Sequence, residues 1–311
     1  MGSLVLAALL AAAPEGWVAV PTSRITKDVV QCANWSRYAW ALQLYGDSVR
    51  PIRVSDELRQ DPLPFTINFR GAIPFPGDLP DEKNPVPTLD WQVAPEEQAK
   101  LAELKAQPNP GHVEWALRYG ESHARRYVVR LNGGWLIGFG GGEFGGSLWW
   151  YSGPEAGRRV AEGNVVDIIP MAQGREALVF AGLAHMGIDQ GRVFRFTATT
   201  EPQLHLVSDL AASPQVAVAE SEASALVLTT RKLWRVPAER AAESLCALES
   251  LYLYPRSMAV LSSGEVWVGM RHFVVRLKPN GGERCDVQWF APADCTKLAR
   301  RGAEGECTCQ R

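Results

Sequence analysis

From about residue 127 the chain is written as short apolar runs separated by polar or glycine-containing breaks, and the runs recur. "WLIGF" (Trp135 to Phe139), "ALVFA" (Ala177 to Ala181), "ALVLT" (Ala225 to Thr229) and "EVWVG" (Glu265 to Gly269) start 42, 48 and 40 residues apart. Each is followed by a second run, "SLWWY" from Ser147, "RVFRF" from Arg192, "KLWRV" from Lys232 and "FVVRL" from Phe273, at spacings of 45, 40 and 41 residues. The runs consist of β-branched, aromatic and aliphatic side chains, the composition of strands. A further strand precedes each pair, as "YVVRL", "VVDII", "QVAVA" and "SMAVL". A fourth follows the first three pairs, for example "QLHLVS" from Gln203. Two independent columns that keep one period mark an internal repeat.

Four short strands per repeat of about 42 residues resembles the blades of β-propeller proteins as a broad class, over roughly residues 125 to 291. The WD dipeptide and a clear kelch signature are missing, so no named family is matched. The resemblance implies an all-β fold, a propeller of five or six blades; a sandwich or stacked meander is the alternative. Arg195, Arg235 and Arg276 hold one place in successive third strands, with Trp150 there in the first repeat. Residues alternate faces along a strand, so this column is expected between blades, its charged tips reaching solvent or a carboxylate. Trp149 and Trp150 are adjacent in one strand and must face opposite sides; both the packing of blades and stacking on sugars remain open to them.

Residues 20 to 125 are less regular. "FTINF" (Phe65 to Phe69) alternates like a strand, and the segment from Pro74 to Pro87 is too rich in proline for regular structure. "APEEQAKLAELKA" has Pro95 at a helix start and a Glu96/Lys100 pair, which predicts a short surface helix. The chain therefore divides into an N-terminal apolar segment (1–20), irregular blades or a cap (21–125), four propeller-like repeats (126–291) and a Cys-rich tail (292–311).

Leu4 to Ala13 is an apolar run of signal-peptide length ending in small residues, below the ~20 residues that a spanning helix needs. It points to an exported protein, periplasmic or extracellular, without stable membrane insertion. The six cysteines, Cys32, Cys246, Cys285, Cys295, Cys307 and Cys309, are an even set that fits disulfides in an oxidising compartment. Their spacing lacks paired Cys-x-x-Cys motifs, and the scattered histidines lack an i, i+4 pair, so no metal or cofactor is expected. A formal net charge of −2 with interspersed signs gives no reason to expect nucleic acid. Asn34-Trp35-Ser36 fits a glycosylation sequon, although the residue usage has a bacterial cast.

The stretch "GFGGGEFGGSLWW" carries the letters of a dinucleotide fingerprint at Gly140-x-Gly142-x-x-Gly145. That fingerprint needs a helix after its glycines, and here a strand pattern follows, so the glycines belong to a hairpin loop. The loop is long, as is "GLAHMGIDQ" (Gly182 to Gln190) in the second repeat, whereas Thr230-Arg231 and Arg271-His272 suffice in the third and fourth. In propellers the second-to-third-strand loops open on the same face as the loops between blades. The resemblance thus gathers Glu143, Phe144, His185, Asp189, Arg231 and His272 on one rim as ligand-binding candidates. The expected function is binding of a protein or glycan there, including an inhibitor-like role. Alternatives are a polysaccharide hydrolase or lyase that uses rim acids such as Glu143 and Asp189, and a structural envelope protein. No Gly-x-Ser-x-Gly elbow, His-Glu-x-x-His pair or phosphate loop occurs, and no catalytic residue is assigned.

Overall fold

A computed structural model describes residues 13–34, 38–55, 125–142, 145–153, 156–199, 201–248, 254–281, 283–295, 297–300 and 307–310. The chain opens with β1 (Trp17–Val20), helix α1 (Lys27–Asn34) and a hairpin of β2 (Tyr38–Tyr45) and β3 (Ser48–Ser55). Blade one comprises β4 (Arg125–Leu131), β5 (Gly134–Gly140), β6 (Gly146–Tyr151) and β7 (Gly157–Glu162). Blade two comprises β8 (Val165–Met171), β9 (Glu176–His185), β10 (Ile188–Thr197) and β11 (Gln203–Asp209). Blade three holds β12 (Pro214–Ser221), β13 (Ser224–Thr229), β14 (Lys232–Pro237) and β15 (Glu243–Ala247). Blade four holds β16 (Ser257–Val260), β17 (Val266–Gly269), β18 (Val274–Lys278) and β19 (Asp286–Pro292). A last hairpin joins β20 (Lys297–Arg300) to β21 (Cys307–Gln310).

Every blade is an antiparallel meander whose strands lie side by side in chain order. The first strands line up in turn, β4 beside β8, β8 beside β12, β12 beside β16 and β16 beside β2. Sheets arranged radially around their first strands form a β-propeller. Both faces of a middle strand are covered by neighbouring blades, which is why these runs are apolar throughout. In β13, Leu226 and Leu228 pack towards blade four while Ala225 and Val227 pack towards blade two. All four are buried to within 2% of their surface, worth about 1.5–3 kcal/mol for each large side chain. Trp149 and Trp150 are likewise split between opposite faces, Trp150 against Phe196 of blade two and Trp149 stacked on Tyr151. Both are buried, so neither offers a ring to a sugar.

The repeat alignment needs one change. Arg195, Arg235 and Trp150 pair across to Leu178, Leu226 and Leu136, but Arg276 pairs to Trp267 rather than Val266. Trp267 faces the following hairpin, as Leu226 faces blade four, so it is the true equivalent of Leu226. Both turns hold two residues, Thr230–Arg231 and Arg271–His272, so the run equivalent to Ala225–Thr229 is Val266–Met270, one position later than "EVWVG". Two members of the arginine column meet carboxylates. Arg235 grips Glu220 in two bonds (Nη2 to Oε1 2.6 Å, Nε to Oε2 2.7 Å) and holds its carboxyl below the usual range; Arg276 reaches Glu265 at 3.3 Å.

The N-terminal portion is built into the ring. β1 pairs antiparallel with β19, Val20 opposite Trp289, and makes blade four a five-stranded sheet. The boundary expected at residue 20 therefore falls at the end of a strand of the body. Thr26 caps α1 by accepting the Val29 N–H at 3.4 Å, and Val29, Val30 and Ala33 pack on the seam between blades three and four. Cys246 and Cys285 form a disulfide across that seam, and Cys32 and Cys295 each take part in a disulfide as well. Among the described residues no cysteine is free. The strand expected at Phe65 to Phe69, the Pro-rich segment, the helix after Pro95 and the side chains of Cys307 and Cys309 lie outside the described residues. So does the part of the chain that would decide between five and six blades.

Candidate recognition face

The connections from second to third strand and those between blades lie together at one end of the propeller, and small polar residues sew them into a frame. Between blades one and two, Asn164 accepts the Gly142 N–H at 2.9 Å and donates Nδ2 to the Gly182 carbonyl at 2.5 Å. Between blades two and three, Asp189 does the equivalent work. Its carboxylate accepts the Ser213 N–H, the Thr230 hydroxyl (both 2.8 Å) and Arg231 Nε at 2.9 Å. Between blade four and the hairpin, Ser257 donates its hydroxyl to the Trp40 carbonyl at 2.9 Å and accepts the Leu42 N–H at 3.1 Å. A carboxylate or amide placed here satisfies backbone groups that the change of blade leaves without a ladder partner.

The glycine stretch runs from strand to strand as a folded hairpin loop. The Gly141 N–H donates to the Gly145 carbonyl (2.8 Å) and that of Gly145 to the Gly142 carbonyl (3.1 Å), with Gly142 at φ 63°. Left-handed backbone is the reason for glycine at 142. β6 starts at Gly146, so no helix N-terminus faces a phosphate. The second long loop proves to be strand. β9 and β10 extend to His185 and Ile188, which pair, and only Met186 and Gly187 turn. The turn is made by positive φ at both residues, 46° and 94°. The result is a hairpin that projects with Met186 90% exposed at its tip.

The six candidates therefore have different fates. Asp189 and Arg231 meet as an ion pair, with the aspartate largely covered and the Arg231 side chain 68% exposed. His185 lies half-buried beside the Met186 turn. Glu143 and Phe144 lie outside the described residues. His272 is 2% exposed, with Nε2 3.1 Å from Cys295 Sγ and its ring edge-on to Phe273. Burial, and after it the Arg53 charge, pushes its pKa down to about 4, so the ring is neutral. Sequence reasoning missed Met186 and Tyr254. Tyr254, in the connection between blades three and four, stands 51% exposed at φ 50° with the Arg271 guanidinium 4.4 Å from its ring centre. An isolated Met or Tyr in a polar connection gives no sequence signal. Among the described residues, no three His, Cys, Asp or Glu groups gather as metal ligands.

No family profile matches the chain, and no curated protein matches it in sequence. Solved structures do resemble it. The catalytically inactive virginiamycin B lyase of Staphylococcus aureus, solved with quinupristin, is similar at 12% identity and TM-score 0.39, over 55% of this chain and 57% of that one. The Dos1 propeller is similar at 10% identity and TM-score 0.35, over 54% and 55% of the two chains. The gluconolactonase of Xanthomonas campestris is similar at 12% identity and TM-score 0.35, over 55% and 66%. The chain thus spans just over half the length of the lyase and of the Dos1 propeller. What it has in common with these proteins is the β-propeller architecture, at identities that transfer no activity.

Proposed function

We propose that the chain is an exported propeller that binds a protein or a glycan through the face described above. The observation that carries this reading is the set of side chains left projecting from a clipped frame. Met186, Tyr254 and Arg231 stand out on the connections of three successive blades, while Asn164, Asp189 and Ser257 hold those connections still. Exposed Met, Tyr and Arg are the residue types that anchor recognition surfaces. Rigid support lowers the ordering cost when a partner docks. The Cys246–Cys285 disulfide fits an oxidising compartment, and among the described residues no helix is long and apolar enough to cross a membrane. The hydrolytic alternative loses Asp189 as an available acid, because three donors already occupy its oxygens.

Immobilised protein would be exposed to a glycan array and to native extract, beside Met186→Lys and Tyr254→Ala. A ligand held by the parent and weakened at least tenfold by either change, with melting unchanged, is expected. Equal binding by all three proteins would remove this face from the function. Polysaccharide turnover lost in Glu143→Gln would favour the enzyme instead.

A further inference from the structure

The surroundings of the Cys246–Cys285 disulfide and of disulfide-bonded Cys295 are chemically unlike. Cys246–Cys285 is packed among Leu233, Leu248 and Met258 in the apolar seam between blades three and four. Cys295, 3% exposed, has an imidazole against its sulfur, His272 Nε2 at 3.1 Å. The turn fixes that imidazole. His272 sits at φ 67°, the Phe273 N–H donates to the Arg271 carbonyl at 2.8 Å, and that of Met270 to the Phe273 carbonyl at 3.0 Å. A thiolate that appears in apolar packing is poorly solvated, and its sulfur leaves slowly; one that appears beside an imidazole N–H is stabilised as it forms.

We propose that the disulfide made by Cys295 is a redox-labile switch, opened by a dithiol reductant, with His272 as the positioning residue that receives the departing sulfur. The reductant's thiolate attacks the sulfur bonded to Cys295. The S–S electron pair leaves on Cys295 Sγ, which accepts a hydrogen bond from Nε2–H. The reductant's second thiol then displaces the mixed disulfide, so the dithiol is oxidised by two electrons and the protein gains two thiols. The switch lies where the N-terminal strand joins blade four. The Cys295 N–H donates to the Pro292 carbonyl at the end of β19, and the Ala293 N–H donates to Gly16, just before β1. It also adjoins the recognition face, since the next residue back, Arg271, covers Tyr254.

The test treats the oxidised full chain with dithiothreitol, quenches by alkylation over time, and follows the Cys295 and Cys246 peptides by mass spectrometry. Cys295 is expected to become labelled at least tenfold faster than Cys246. Asn tolerates the left-handed backbone at 272, so His272→Asn keeps the turn and should slow Cys295 at least tenfold while leaving Cys246 unchanged. Equal rates in the parent protein overturn the proposal, whatever the variant does. So does a variant in which Cys295 opens as fast as before, or faster, because a residue that merely packs would, when lost, loosen its surroundings.

Discussion

Burial of a single ring makes stability depend on pH. His272 is neutral in the fold, with a pKa near 4, whereas an exposed histidine titrates near 6.5. As pH falls through 6.5 the unfolded chain takes the proton first and is favoured. The stability that this site contributes is complete above about 6.5, declines between 6.5 and 4, and is level below. A difference of this size corresponds to about 3 kcal/mol across the window. His272→Asn should remove that part of the slope, so urea midpoints of parent and variant compared at pH 7 and at pH 4 should converge or cross on the acid side. Parallel curves would show that the ring is not held neutral. Asp189 teaches a related lesson. In the sequence it is a loop acid four residues from a histidine and reads as rim chemistry. In the fold it is a clasp, because Ser213, Thr230 and Arg231, all distant in sequence, arrive at its oxygens.

Among the elements, the β9–β10 hairpin owes its reach to the close approach of its neighbour. Gly182 and Gly191 face each other across it, and a Cβ at Gly191 would run into the Ala212 carbonyl oxygen and Pro214 Cδ. Backbone cannot yield there as a side-chain tip can. Gly191→Ala is therefore expected to cost about 1–3 kcal/mol, read from the denaturant midpoint. An unchanged midpoint would mean that blades two and three are less closely set. The strands of the four repeats were legible, since each of their apolar runs lies in one, and the fourth repeat has its fourth strand too. Two things at this scale were not. The register of repeat four is one: its equivalent run begins at Val266 rather than Glu265, and spacing alone does not fix which residue a strand places opposite its neighbour. The stretch "GLAHMGIDQ" reads as a loop because its glycines and polar residues dilute the apolar pattern, yet cross-strand pairing carries it as strand. Helix α1 was hidden for a related reason. It is barely two turns long, and its helical stability comes from packing on the blade seam rather than from propensity.

For the whole molecule, the period of the repeats announces a propeller, but nothing in it announces how the N-terminal portion joins blade four. It does so through β2 beside β16 and through β1, four residues whose pattern is too brief to stand out and whose partner lies far along the chain. Removing Trp17–Val20 would strip the ladder from β19, the burial of Val20 and the edge contact of Trp17 with Trp40. A chain that starts at Pro21 should lose at least about 3 kcal/mol in urea unfolding and self-associate through the bared β19 edge. A truncated chain as stable and monodisperse as the parent would make β1 ornamental. The same pairing sets an order on biosynthesis. Val20 is made well before Trp289, with 268 residues between them. At about 5–20 residues per second the first strand waits on the order of tens of seconds, unpaired, for its mate. The blades between can stack as they are made, but β1 must be kept from pairing elsewhere until blade four exists.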